Sequence, residues 1–232
     1  QNNVQGACDM GVLPNMFPGY QSVTDEGIRQ KFAQAWHIPV EKLDPQVGYR
    51  ITEVPHLAIE GKVKAYYIMG EDPLQTEADL GLVRKGFQAL DFIVVQDIFM
   101  TKTAEQADVI LPSTSWGEHG GIFTCADRGF QRFEQAVQAR GNVKRDWEII
   151  SLLATAMGYP MSYTDNEEIW HEVRALCPLF FGATYEKLAG LAHIQWPCPE
   201  LDHPGTPYLY SDNRFTTPSG KGQLFATAWR AP

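Results

Sequence analysis

The stretch that decides the fold reads VKAYYIMGEDP from residue 63 to residue 73. An apolar strand runs into a turn there, and Gly70 lets the chain bend sharply. The same order returns twice, in DFIVVQD at residues 91–97 and in DVILPS at residues 108–113. All three strands are continuously apolar, which is typical of parallel strands that are covered on both faces. Because open sheets of this kind bind ligands beyond the carboxyl ends of their strands, the polar residues at those ends are the first candidates for a site.

Helical patterns surround these strands and complete an α/β fold with a doubly wound, mostly parallel sheet. The first crossover carries an apolar face over residues 80–90, and the second, over residues 101–107, is predicted to form about two helical turns. Asp146 is predicted to cap the helix that follows it. A helical extension and a C-terminal β-hairpin region at residues 215–225 follow the sheet. The remaining helices are predicted over residues 24–38, 51–60, 147–157, 166–176 and 184–191.

Composition excludes several classes of protein. The formal charge of −9 and the isoelectric point near 5.1 argue against a general nucleic-acid role, which needs a positive surface. No apolar run approaches the roughly 20 residues that cross a bilayer, so we expect no membrane contact by this segment. The four cysteines lack C-x-x-C spacing, and they predict neither a zinc site nor an iron–sulfur site. The chain opens with Gln1 and reads like the middle of a protein, so we expect it to be a fragment.

Asp72 follows the first strand and precedes Pro73, a residue that fits the first turn of a helix. Its carboxylate would either cap that helix or accept the paired N–H donors of a guanine or the hydroxyls of a ribose. Both interpretations remain open from the residues alone. Gly70 and Glu71, in the same turn, are candidates for contact with the same ligand.

The neighbouring strand ends carry further polar side chains. Gln96 and Asp97 end the second strand, and Asp97 would either reach a ribose hydroxyl or bond its own backbone in a turn. Ser113 follows the third strand, where it would donate to a phosphate or occupy a turn. Thr76 faces the same crevice. Each of these residues alone is weak evidence for a binding site. Their expected position along one edge of the sheet strengthens the prediction.

Other motifs are missing or ambiguous. No G-x-G-x-x-G follows a strand and no Walker lysine is present, which disfavours ordinary NAD or ATP binding by those routes. Glu118 and His119 are acid/base candidates, but their place among glycines favours a role in ordering a tight loop near the ligand.

Several long motifs resemble the molybdopterin-dependent oxidoreductases. They are YIMGEDPLQT at residues 67–76, VQDIFMTKTA at 95–104, ADVILPSTSWGE at 107–118, NNVQGACDMG at 2–11, GATYEK at 182–187 and IQWPC at 194–198. Within that family the chain is most similar to the catalytic subunit of formate dehydrogenase, of the cytoplasmic, hydrogenase-linked type. The resemblance covers essentially the whole chain.

The resemblance implies a cofactor: molybdenum (or tungsten) held by two molybdopterin guanine dinucleotides. Gln1 matches a residue beside the metal. The metal's own ligands and the ligands of a 4Fe-4S cluster would precede this chain, so it supplies no metal ligand and Cys8 would be structural. The positions that the resemblance and the strand ends assign to cofactor binding are Gly70, Glu71, Asp72, Thr76, Gln96, Asp97, Ser113 and Asp146.

The resemblance also implies an activity and a domain plan. Formate would be oxidised to carbon dioxide, and the electrons would pass to an acceptor protein or to redox subunits. Residues 1–115 would form the cofactor-binding α/β domain. Residues 116–200 would pack on it and on a preceding domain of the same polypeptide, and residues 201–232 would be a linker and the start of a following β domain. The alternatives are a nitrate reductase-like enzyme and a non-catalytic scaffold of the same fold, as in respiratory complex I.

Overall fold

A computed structural model describes residues 3–229. Gln1, expected beside the metal, lies outside the described residues. The helices are α1 (Val4–Asp9), α2 (Glu26–Ala35), α3 (Val54–Ile59), α4 (Pro73–Thr76), α5 (Leu80–Gln88), α6 (Asp146–Ala156) and α7 (Asn166–Leu176). The strands are β1 (Met16–Phe17), β2 (Gln21–Ser22), β3 (Ala65–Met69), β4 (Phe92–Asp97), β5 (Val109–Pro112), β6 (Gly121–Thr124), β7 (Gly129–Phe133) and β8 (Ile194–Gln195).

The first packing unit is the parallel layer, formed by β3, β4 and β5 with helices α4 and α5. The strands lie in the order β3-β4-β5, and both pairs are parallel. One face of the sheet is covered, and its core consists of Ile68, Leu74, Val83, Phe87, Ile93, Val95 and Ala104. The α/β class with a parallel sheet is therefore confirmed.

The opposite face of the sheet departs from the prediction. Tyr67, Met69 and Val109 are apolar or aromatic, yet all three are exposed within the described residues. α5 packs against the side that carries Ile68 and Val95. The expected cover of the opposite face is partial within the described residues: Gln96 is buried there beside Asp146 of α6.

The second packing unit, the aromatic cluster, lies around the antiparallel strands β6-β7-β8 and helix α7. Its buried residues are Phe130, Trp170, Cys177, Phe180, Ala183, Tyr185, Leu188, Ile194 and Cys198. Phe130 meets Trp170 and Phe180 edge to face, with ring centroids 4.9 and 5.0 Å apart. Such aromatic contacts add to the stabilisation that burial itself provides.

Two helix predictions in the parallel layer need correction. The second crossover forms a single 3-10 turn at Ala104–Gln106 in place of two helical turns, because the Thr101 hydroxyl accepts from the Ala104 N–H and the Thr103 N–H is bound by the Asp72 carboxylate. Asp146 is the first residue of α6 and does not cap it; Arg145 occupies the cap position.

Two predictions beyond the sheet are wrong. Residues 184–191 form turns and no helix, since Tyr185 and Leu188 pack into the aromatic cluster. Residues 215–225 form no β-hairpin. The described segment closes a turn there, in which the Phe215 N–H donates to the Gly220 carbonyl over 3.0 Å.

Candidate functional site

Three strand ends meet at one edge of the parallel layer, which we call the strand-end edge (residues 70–72, 96–97 and 113). The register aligns Met69 with Gln96 and Asp97 with Pro112. Just beyond the strands, the Gly70 N–H donates to the Gln96 carbonyl at 2.9 Å, and the Ser113 N–H donates to the Asp97 carbonyl at 3.2 Å. The backbone of all three ends is therefore joined.

Gly70 turns the chain with a φ of +65°, a conformation that favours glycine. Among residues 3–229, apart from Gly70 and its two chain neighbours, no atom lies within 4 Å of the point where a Cβ would sit, so the space beside this backbone is open in that part of the chain. Glu71, the next residue, is half-buried and makes no hydrogen bond within the described part of the chain.

The Asp72 carboxylate does not cap α4. Its Oδ1 accepts two hydrogen bonds from buried Thr103, one from the backbone N–H at 2.9 Å and one from the hydroxyl at 2.6 Å. The Asp72 carbonyl accepts from the Thr76 hydroxyl at 3.1 Å. Asp72 thus ties the turn after β3 to the second crossover, and its Oδ2 has no partner among residues 3–229.

Gln96 is fully buried, and its amide links the sheet to α6. The Tyr67 hydroxyl donates to Gln96 Oε1, and Gln96 Nε2 donates to Asp146 Oδ1 at 2.6 Å. Burial, and then the charge of Asp146, raises the pKa of Tyr67. Gln96 is thus closed off from solvent, and its side chain is held between Tyr67 and Asp146.

Ser113 and the loop that follows it also lie at the strand-end edge. Ser113 is buried and pairs with Lys144 in a short parallel bridge, and its hydroxyl makes no hydrogen bond within the described residues. The next residue, Thr114, has its hydroxyl 2.9 Å from His119 Nδ1. Burial lowers the pKa of His119, and the nearby Asp146 charge opposes that shift.

Glu118 and Asp97 serve their local backbone. Glu118 Oε2 accepts from the Ser115 N–H at 2.9 Å and from its hydroxyl at 3.0 Å, and these bonds lower the pKa of Glu118. Asp97 Oδ1 accepts from the Phe99 N–H at 2.9 Å, which is the turn role that the sequence left open. Both carboxylates thereby order the loops around the edge.

The side chains at the strand-end edge divide into two groups. Asp72 turns to Thr103, whereas Gln96 turns to Tyr67 and Asp146. Among the predicted site residues that the structure describes, Gln96 and Asp146 form the one hydrogen bond between two side chains, and the Thr76 hydroxyl donates to the Asp72 backbone.

Sequence reasoning missed Tyr67 and Thr103. Tyr67 could have been found, because in the paired strands it lies diagonally opposite Gln96 on the same face. Thr103 gave no such signal, since it lies 31 residues from Asp72 in a segment with helical composition.

The donor and acceptor set fits a guanine nucleotide. A guanine base presents neighbouring N–H donors, which a carboxylate can accept. The second oxygens of Asp72 and Asp146 and the hydroxyl of Ser113 are free for such contacts within the described residues. Within residues 3–229, no three His, Cys, Asp or Glu side chains cluster as metal ligands. No helix in that range has the length and apolar character needed to cross a membrane.

Comparisons with known proteins bear on the family of this chain. A family model described as molybdopterin oxidoreductase matches residues 2–156. The chain is 60% identical to formate dehydrogenase H of Escherichia coli (strain K12), over 100% of this chain and 32% of that protein. It is 42% identical to the F420-dependent formate dehydrogenase 1 subunit alpha of Methanococcus maripaludis, over 100% of this chain and 34% of that protein. The chain therefore spans about a third of the length of these relatives.

Among solved structures, acetylene hydratase from Pelobacter acetylenicus matches with a TM-score of 0.58 and 20% identity, over 85% of this chain and 27% of that one. This likeness concerns the fold alone.

The parallel layer and its polar strand-end edge define an α/β protein of the class that binds ligands beyond the carboxyl ends of its strands. The match over residues 2–156 makes the assignment specific: the chain belongs to the molybdopterin oxidoreductase family.

Proposed function

We propose that this chain is part of a molybdenum-dependent (or tungsten-dependent) formate dehydrogenase and forms one wall of a molybdopterin guanine dinucleotide site. The observation that carries the proposal is the 60% identity to a formate dehydrogenase over the full length of this chain. The proposed enzyme works in the cytoplasm and delivers electrons to an acceptor protein or to redox subunits.

The structure supports this proposal through the chemistry of the strand-end edge. Asp146 is fixed by Gln96 through one carboxylate oxygen, which leaves the other oxygen to accept from a base. Ser113 offers a hydroxyl to a phosphate, and open backbone at Gly70 lets a ligand approach closely. In this proposal Asp72, Thr76 and Glu71 line the other side of the nucleotide, and Asp97 shapes the turn beside it.

The bound cofactor would supply the redox chemistry, in which formate gives carbon dioxide, one proton and two electrons. The share of this chain is to bind and orient the nucleotide end of the cofactor. Residues outside it would hold the metal and a 4Fe-4S cluster, as the resemblance to the formate dehydrogenases implies.

The first experiment uses the full-length protein. We expect molybdenum or tungsten by elemental analysis, GMP released by acid hydrolysis, and formate-dependent reduction of a dye. Protein without either metal and without pterin fluorescence would instead indicate the scaffold. Metal-loaded protein that reduces nitrate and does not oxidise formate would indicate a nitrate reductase-like enzyme.

The second experiment tests the site with the Asp146→Asn variant. The amide oxygen can still accept from Gln96, but its NH₂ group opposes the donors of a guanine. We expect GMP content to fall several-fold with little change in the unfolding temperature. Asp79→Asn is the matched control, because Asp79 caps α5 away from the edge. Full GMP content in Asp146→Asn would refute the role of Asp146.

A further inference from the structure

Tyr67 begins a line of side-chain hydrogen bonds that ends at the strand-end edge. Its hydroxyl donates to Gln96 Oε1, and Gln96 Nε2 donates to Asp146 Oδ1 at 2.6 Å. The three side chains come from β3, β4 and α6, so the line joins three separate elements. We call it the Tyr67–Gln96–Asp146 network. Its last member, Asp146, keeps Oδ2 without a partner among residues 3–229.

The amide of Gln96 is unusual for its place in the sheet. The other buried residues of β4, Ile93 and Val95, are apolar. A buried amide costs free energy unless its donor and acceptor groups are both bonded, and here both are. An apolar side chain could fill the same position without that cost. What Gln96 adds to the molecule is therefore its hydrogen bond to the carboxylate of Asp146.

The charge of Asp146 sets the direction of both hydrogen bonds in the network. A carboxylate only accepts, so the NH₂ group of Gln96 must face Asp146 and its oxygen must face Tyr67. Reversing the amide would place its oxygen against the carboxylate, with two acceptors facing each other. The Tyr67 hydroxyl holds the amide oxygen from the opposite side, so it stabilises the orientation in which Gln96 restrains Asp146.

Recognition of a guanine depends on that restraint. The base presents two neighbouring N–H donors to one carboxylate, so the carboxylate must keep one orientation. We propose that Tyr67 is a positioning residue of the nucleotide site, which acts through Gln96 to hold Asp146 toward the base. This inference rests on the proposed function, and it adds to that site a residue that acts through two others.

The first test compares the full-length protein with its Tyr67→Phe variant. Both are kept in urea below the unfolding transition, and the GMP that remains bound is measured per folded molecule over time. Without the hydroxyl, the Gln96 oxygen loses its donor, and we expect GMP to be lost about three- to tenfold faster. An unchanged rate would overturn the inference.

Tyr66→Phe is the matched control, because it removes a hydroxyl from the opposite face of the same strand. The Tyr66 ring packs near Phe87, with ring centroids 6.0 Å apart, on the side that α5 covers. We expect this variant to lose GMP at the wild-type rate. Equal acceleration in Tyr66→Phe and Tyr67→Phe would mean that loss of either hydroxyl loosens the sheet, and the specific role of Tyr67 would fall.

A double-mutant cycle separates positioning from general support of the fold. If Tyr67 acts through Asp146, Tyr67→Phe should have little effect on GMP loss once Asp146→Asn is present, because the group that it positions no longer accepts from the base. A structural role predicts the same acceleration in both backgrounds, and that result would refute the inference.

These outcomes differ from a failure of the proposed function. Wild-type protein that carries no GMP would remove the proposed function, and this inference with it. Wild-type protein that carries GMP, together with a Tyr67→Phe variant that retains it equally well, would remove the inference alone.

Discussion

The parallel layer and the aromatic cluster use their polar side chains in different ways. In and beside the aromatic cluster, polar side chains bond to other protein groups. The Trp170 indole donates to the Ala183 carbonyl at 2.7 Å, and the Trp196 indole donates to buried Asp9 at 2.7 Å. In the parallel layer, Asp72 and Asp146 each use one carboxylate oxygen in the fold and keep the other free within the described residues.

This difference separates a structural region from a candidate binding region. Burial raises the pKa of Asp9, and its donors Trp196 and Gln5 compensate only in part. Asp9 is therefore a structural group closed off from solvent. At the strand-end edge, unused acceptors lie beside open space, which is the condition for recognising a ligand.

The largest effect is expected in the aromatic cluster, from Trp170→Ala. Trp170 is buried against Phe130 and holds the Ala183 carbonyl, so its removal should lower the free energy of unfolding by about 3–5 kcal/mol. Chemical denaturation of the full-length protein measures this loss, with exposed Trp229→Ala as the control. Cofactor content per folded molecule should stay unchanged; a specific loss of cofactor would break the distinction between the two regions.

A smaller effect is expected from Asp72→Ala in the parallel layer. The buried Thr103 N–H would lose its acceptor, which should lower the free energy of unfolding by about 1–3 kcal/mol. Asp72→Asn keeps an oxygen for Thr103 but loses the charge, so it should restore stability without restoring GMP content. If Asp72→Asn restored both, Asp72 would be structural, like the polar groups of the aromatic cluster.

The smallest effect is expected from His119. Burial lowers the pKa of this imidazole, so its contribution to stability is present above the unfolded pKa near 6.5 and is lost as the pH falls toward the folded value. Because His119 titrates a single proton, the slope stays below about 1.4 kcal/mol per pH unit. The free energy of unfolding of the wild type and of His119→Gln is measured from about pH 7.5 to about pH 5, the range over which histidine side chains usually titrate. Parallel pH profiles of the two proteins would contradict it.

Most of the parallel layer could be predicted from the sequence, because its apolar runs and turns are local signals. The strands and α5 follow the predicted order, and α7 spans the predicted residues 166–176. The failures at residues 184–191 and 215–225 have a common cause. Those segments have weak local preferences, and tertiary packing or its absence decides their conformation.

The candidate site likewise has a part that the sequence predicts and a part that depends on tertiary packing. The chain by itself determined which polar residues end the strands, since parallel crossovers bring successive carboxyl ends to one edge. Only the tertiary structure decided their partners. Tyr67 meets Gln96 across 29 residues, Asp72 meets Thr103 across 31, and Gln96 meets Asp146 across 50. Contacts over such separations depend on how whole elements pack, and no local pattern of residues encodes that.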